Sequence, residues 1–220
     1  MIHARSSHIG RRWSLSLGAV TIAASISAGS VGMVGCASSP DNMVLGLAYQ
    51  PTSQPDASKL QGAQPILATM RVWINPVIDR HPEGSQIGVS EEEDNKPVYF
   101  GPNGLPPADF VRSALVPVLA AYAVPVAPDA NTHTHVLQIE MTRFWTHEDN
   151  NYQATIGGSV VLADRAGHVL WKAEIVGASK HHGRTFTDPN YQQAFSDAAL
   201  DFGGKLALDP GFRAAMNVAG

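Results

Sequence analysis

The pattern of apolar and polar positions predicts a strand followed by a helix in the first part of a domain spanning residues 65–220. Residues 66–74 (ILATMRVWI) are rich in β-branched and aromatic side chains, which is typical of a strand. Between Pro106 and Tyr122, apolar residues recur at the three- and four-residue spacing of a helix. Pro117 lies inside this run, so we expect it to kink the helix or to mark its last turn.

Three strands and a second helix are predicted next. The strands cover 136–144, 152–163 and 169–177, and the last two flank a hairpin loop, DRAGH. Gly157-Gly158 in the middle strand indicates a bulge. The second helix begins at Asp188-Pro189, a capping residue followed by proline. Asp209-Pro210 repeats this start for a short final helix.

The element order β-α-β-β-β-α, with half-polar strands, predicts an α+β fold class. We expect a mainly antiparallel sheet with both helices packed on one face. Residues 75–97 form a long acidic loop, within and beyond which short strands are expected at 86–89 and 98–100. Its run Glu91-Glu92-Glu93-Asp94 is typical of a solvated loop, and whether the loop binds anything stays open.

The N-terminal pattern differs from the rest. Residues 1–12 carry only positive charge, and 13–34 carry none but are apolar, which together predict a secretory signal peptide over 1–35. Met33-Val34-Gly35-Cys36 has the bulky, β-branched, small and cysteine order of a bacterial lipoprotein cleavage site. We therefore expect residues 36–64 to be a lipidated cysteine with a flexible tether, and 65–220 to be a single periplasmic domain. The tether includes a short apolar patch at 43–47 that is able to pack on the domain, so the whole segment is not expected to be disordered.

Charge and cysteine count sharpen this assignment. Residues 1–35 contain three arginines and no acidic residue, so removing them leaves 12 basic and 19 acidic residues and a net charge of about −7. An acidic chain without clustered Lys and Arg is a poor nucleic-acid binder. Cys36 is the only cysteine, which excludes a disulfide within the chain. Lipid attachment at Cys36 is the main prediction, and an uncleaved membrane anchor is the alternative.

Few residues point to chemistry. His133 and His135 lie on one side of a strand start and would bind Zn²⁺ or Cu²⁺ if a third ligand were supplied; the alternative is an exposed polar strand end. We find no nucleotide-binding or zincin motif, and Gly157-Gly158-Ser159 lacks the strained turn of a serine hydrolase. No cofactor is therefore expected. Trp73 and Trp171 are expected in the core rather than in an aromatic ligand-binding ledge with Trp145 and Tyr152.

The layout resembles the YajG-like family of bacterial outer-membrane lipoproteins over about residues 65–217. The resemblance rests on several short stretches of sequence: Asp79-Arg80, Ile87-Gly88, Ala121-Tyr122-Ala123-Val124, HVLQIEM at 135–141, Asp164 with Gly167 and Trp171, and Asp209-Pro210-Gly211-Phe212. It is more distantly similar to auxiliary lipoproteins of ABC-type lipid transport. The resemblance implies an envelope lipoprotein without an established enzymatic activity and supplies no catalytic residues. The long acidic loop departs from the family pattern.

The sequence thus predicts a non-enzymatic lipoprotein that contacts the membrane through its N-terminal lipid and acts by binding an envelope protein partner or supporting envelope assembly. A ligand-binding module for a glycan, a peptidoglycan fragment or a lipid is the alternative. Ala37 and Ser38 lack the aspartate that favours inner-membrane retention. We therefore expect a periplasm-facing position on the outer membrane, for a Gram-negative source.

Overall fold

The computed structural model describes residues 41–183 and 186–218. They form eight strands, three α-helices and a short 3-10 helix at Ala57–Leu60. In chain order the elements are β1 (Met43–Leu45), β2 (Val72–Ile74), β3 (Ile78–Asp79), β4 (Gln86–Ser90), β5 (Lys96–Phe100), α1 (Pro107–Ala121), β6 (His135–Glu148), β7 (Asn151–Asp164), β8 (Val169–His182), α2 (Asp188–Leu208) and α3 (Pro210–Ala215). No helix of the described residues is long and apolar enough to span a membrane.

The centre of the molecule is an antiparallel meander of β6, β7 and β8, each 14 residues long. Alternate side chains on β6 are buried and exposed, with Leu137, Ile139 and Met141 facing the core as expected. Gly167 closes the β7–β8 hairpin with a φ of 92°, a conformation that glycine adopts without strain. The three strands predicted here are confirmed, and each is longer than expected.

The other edge of β6 pairs in parallel with three short strands in succession: β2, β3 and β4. β5 pairs antiparallel with β4, and β1 adds in parallel to β5 at the edge of the sheet. The result is an eight-stranded mixed sheet. The predicted α+β class is confirmed, while the parallel pairings add a feature that alternation alone does not indicate.

The described part of the predicted tether, from Asp41 to Gln64, is not a free spacer, and its apolar patch at 43–47 packs on the domain. It contributes β1, and Leu45 and Leu47 are fully buried in the core. Thr52 then bonds to Asp197 of α2 through its backbone N–H and its hydroxyl. Burying apolar side chains such as Leu45 and Leu47 lowers the free energy of the folded chain, so this stretch packs against the sheet instead of remaining in solvent. Residues 1–40, with the predicted signal peptide and Cys36, lie outside the described residues.

The helices pack on one face of the sheet. Phe144 of β6 stacks on Phe195 of α2 at 4.3 Å between ring centroids, and Phe110 of α1 meets Phe144 edge-on at 5.9 Å. Pro117 does not end α1, which continues to Ala121 with the proline on its exposed side.

A bulge does occur beside Gly157-Gly158, but the extra residue lies on β6. Met141 pairs with Gly158 and Arg143 with Gly157, which leaves Thr142 without a partner. A Cβ on Gly158 would overlap the backbone oxygen of Glu140. The glycine is therefore required because the two strands approach closely here.

Candidate functional site

The groove most suited to binding lies between α1, β2 and residues 126–128. It has a volume of about 430 Å³, within the range of ligand pockets. Its apolar lining comes mainly from Trp73, Leu105, Val116, Val126 and Pro128. Leu105 and Val116 are 37% and 44% exposed, so an apolar surface faces solvent here.

Backbone pairing builds one wall of this groove. The N–H of Val72 donates to the oxygen of Pro125 at 2.9 Å, and the N–H of Ala127 donates to the oxygen of Val72 at 2.8 Å. These two bonds hold residues 125–127 beside β2 as a short parallel bridge. Because Val72 and Ala127 are buried, the wall is anchored in the core while Val126 and Pro128 line the opening.

Arg112 is the distinctive polar residue of the groove. Its Nε donates to the backbone oxygen of Ile74 at 3.1 Å, and its guanidinium carbon lies 5.0 Å from the centre of the Trp73 ring. These contacts orient the guanidinium by a hydrogen bond and a cation–π interaction. Its two Nη atoms form no hydrogen bond or ion pair with the part of the chain that the structure describes. They are thus available to an acceptor from outside.

The other polar groups near Arg112 do not suggest catalysis. The hydroxyl of Ser113 donates to the oxygen of Phe110 at 2.8 Å within α1, so it is already used. Asp109 is exposed in the first turn of α1. An apolar groove with one oriented cation can bind an apolar segment or chain whose end carries an acceptor or a negative charge.

A second, larger groove of about 700 Å³ runs between residues 53–59 and α2. Its most buried acid, Asp197, accepts from Thr52 and lies 2.8 Å from Nε2 of His181. Burial and the negative charge of Asp197 raise the pKa of Tyr49, on the same side of α2, to about 12. Since both oxygens of Asp197 are engaged with the protein, this carboxylate fastens the N-terminal segment to α2 and β8.

The two histidines considered for metal binding are placed differently. His135 is fully buried, with Nδ1 2.8 Å from the hydroxyl of Thr134 and Nε2 3.2 Å from the oxygen of Val218. Burial lowers the pKa of His135. His133 is half-buried, and its Nδ1 has no hydrogen-bond partner among the described residues. Across residues 41–183 and 186–218, no group of three or more His, Cys, Asp or Glu side chains is arranged to hold a metal ion.

A buried acid lies at the far end of the meander. Glu148 is fully buried and accepts a hydrogen bond from the hydroxyl of Tyr191. Burial and this bond raise the pKa of Tyr191. The ring of Tyr152 packs edge-on against Tyr191 at 5.0 Å and is itself buried, so Tyr152 does not contribute to a surface aromatic ledge.

Sequence reasoning missed the main groove. Trp73, which is expected in the core, is half-buried and lies under Arg112 at the floor of the groove. Trp171 is also half-buried, but it packs against the core, with its ring 5.5 Å from that of Phe212. Arg112 and Val116 are four residues apart on the outer side of α1, where Val116 is an exposed apolar residue one turn after the arginine.

No family model matches the chain, and a search of curated proteins gives no match. Among solved structures, a DUF330-family protein from Xanthomonas campestris is similar at 14% identity and a TM-score of 0.49, covering 76% of this chain and 93% of that one. A PelC dodecamer from Paraburkholderia phytofirmans is similar at 16% identity and a TM-score of 0.41, over 67% and 92% of the two chains. A minor lipoprotein from Acinetobacter baumannii is similar at 11% identity and a TM-score of 0.35, over 64% and 92%.

Bacterial lipoproteins are therefore among the proteins to which this chain is similar. At these identities and TM-scores the likeness assigns no activity, ligand or partner. The finer resemblance to the YajG-like family rests on the sequence pattern alone.

Proposed function

We propose that the chain is a lipid-anchored, non-enzymatic protein of the bacterial envelope that binds a partner protein through the groove around Arg112. The observation that carries the anchor is the stretch Met33-Val34-Gly35-Cys36 directly after an uncharged apolar segment with a positive N-terminus. Several acyl chains on one cysteine would hold the protein on the membrane essentially permanently. The absence of an aspartate at Ala37 and Ser38 supports the outer membrane as its location.

The anchor is tested with Cys36→Ser in cells labelled with a palmitate analogue. We expect the variant to lose the label, to keep its signal peptide and to change its fractionation on a membrane density gradient. Ser39→Ala, three residues further on, is the matched control and should behave as the parent does. A Cys36→Ser chain that is still labelled, cleaved and recovered with outer membranes would refute the anchor.

The partner site is supported by the exposed apolar side chains beside an oriented guanidinium. A photo-crosslinking residue at Val116 should form one dominant adduct with an envelope protein, and Arg112→Met should abolish it. The same crosslinker at Val169, which is 64% exposed at the start of β8, is the control and should not form that adduct. A Val116 adduct that persists unchanged in Arg112→Met would contradict the role of this groove.

A second candidate function, a ligand-binding module, is favoured by the two Nη atoms of Arg112, which have no hydrogen-bond partner among residues 41–183 and 186–218. Their planar arrangement suits a carboxylate or phosphate group. Native mass spectrometry of the protein extracted from membranes should then show a bound small molecule that Arg112→Met loses and Arg112→Lys partly retains. Recovery of the protein with no small molecule, together with the Val116 adduct, would favour the partner protein.

A further inference from the structure

The outer edge of β8 is closed at its centre by two side chains of α2. The N–H of Ala178 donates to Oδ2 of Asp201 at 2.9 Å, and Nζ of Lys205 donates to the oxygen of Val176 at 2.8 Å. Asp201 and Lys205 are one helical turn apart and form an ion pair at 2.7 Å. An N–H and a C=O that a neighbouring strand would normally use are thus occupied by a charge pair.

Close packing of α2 on β8 makes this possible. A Cβ on Gly177 would overlap the backbone of α2 at Ala198 and Phe202, so the helix backbone lies directly against the strand. At this distance, side chains on the outer side of α2 reach over the strand edge. The rest of that edge is open, since the described residues, 41–183 and 186–218, make no other side-chain hydrogen bond to the outward backbone groups of β8.

An exposed strand of 14 residues is a ready template for another strand. β8 pairs with β7 on one side only, and even-numbered residues from Lys172 onward point their side chains to the open face of the sheet. Because Ala178 and Val176 carry the outward N–H and C=O, the even-numbered residues also present their backbone groups to the free edge.

The side chains along this edge are complementary to a second copy of themselves. A two-fold axis at Gly177, with β8 antiparallel to its counterpart, would set Glu174 opposite Lys180 and Val176 opposite Ala178. Glu174 and Lys180 are both exposed, so each would meet an opposite charge across the interface. This axis passes through the part of β8 where Asp201 binds the N–H of Ala178 and Lys205 binds the C=O of Val176.

We propose that the outer edge of β8 is a self-complementary docking surface for the β8 of a second copy of this chain, and that the Asp201–Lys205 pair holds it closed. With the pair in place, the central Val176–Ala178 hydrogen bonds cannot form. Without it, the sheet of one copy can continue into the sheet of the other. This inference is independent of the anchor and of the groove around Arg112.

The test is the mass of the full chain in detergent, measured by sedimentation with the bound detergent subtracted. We expect Asp201→Ala/Lys205→Ala to have twice the mass of the parent assembly. Adding Glu174→Lys should return the mass to the parent value, because Lys180 would then face a lysine. Adding Lys180→Glu to that variant restores opposite charges and should restore the doubled mass.

Circular dichroism establishes that each variant retains the parent fold. If the double variant does not fold, Lys205→Met supplies the test, since it keeps the aliphatic stem and the bond from Ala178 to Asp201 while freeing Val176. It should raise the mass above that of the parent and respond to Glu174→Lys in the same way. The proposal would be overturned if a folded variant without the Asp201–Lys205 pair kept the parent mass. It would also be overturned if the doubled mass did not change on Glu174→Lys.

Discussion

The two halves of the sheet are built differently. β6, β7 and β8 are long, antiparallel and consecutive, so each pairs with its neighbour in the chain. β2, β3 and β4 have two to five residues each and pair in parallel with the far edge of β6. The meander is stabilised by local pairing, whereas the N-terminal strands depend on a strand that follows them by about 60 residues in the case of β2.

This difference also divides the surfaces of the molecule into two kinds. The groove around Arg112 lies where the short N-terminal strands meet α1, at residues whose positions depend on distant contacts. The edge of β8 belongs to the meander, and its open and closed states depend on two side chains of α2. The N-terminal half therefore contributes the groove around Arg112, and the meander contributes the outer edge of β8.

The largest expected effect tests whether the N-terminal segment belongs to the fold. Leu45 of β1 is fully buried, so Leu45→Ala should lower the free energy of unfolding by about 3 kcal/mol through lost burial and a cavity. Its neighbour Val44 is 53% exposed, and Val44→Ala should change it by about 0.5 kcal/mol or less. Urea unfolding of both variants measures the difference. Equal, small effects would mean that residues 43–45 are a spacer and not a strand of the core.

A somewhat smaller effect is expected in the meander, from two adjacent glycines. Gly158→Ala places a Cβ against the backbone of Glu140 and should cost about 2 kcal/mol, because that backbone cannot move away freely. Gly157→Ala is the matched control, since its nearest neighbour would be a methyl group of Val176 at 3.3 Å. We expect a loss for Gly157→Ala that is clearly smaller in the same urea titration. A loss at Gly158 as small as the loss at Gly157 would show that the backbone of β6 at the bulge moves to accommodate the added methyl group.

The sequence allowed the meander and both main helices to be predicted, because hydrophobic periodicity is a local property of each element. It did not indicate the partner of each short strand: the apolar run around Leu45 reads equally well as part of a tether, and its parallel pairing with β5 depends on distant residues. The groove was missed for the same reason, since Trp73 and Arg112 are 39 positions apart and meet only in the fold. Cys36 was identified from neighbouring residues alone, and its lipid stays a prediction.

The smallest expected effect concerns the junction of the two halves, where His135 of β6 pairs with Val72 of β2. Burial lowers the pKa of His135 below its ordinary value of 6.5, so the folded protein keeps the ring neutral when the unfolded chain binds a proton. This contribution to stability is complete above about pH 6.5 and declines as the pH falls toward the lowered pKa. We expect the free energy of unfolding to fall between pH 7 and pH 5.5 because of this residue.

His135→Gln removes the titrating ring and keeps a polar side chain, so its free energy of unfolding should vary less over this pH range than that of the parent. The exposed His182→Gln is the control and should follow the pH dependence of the parent. Urea titrations at four pH values between 8 and 5.5 measure the three profiles. The ring of His135 lies between the hydroxyl of Thr134 and the oxygen of Val218. If the pH profile of His135→Gln runs parallel to that of the parent, this site accepts the charged ring at no cost in folding free energy. The junction would then be looser than the meander.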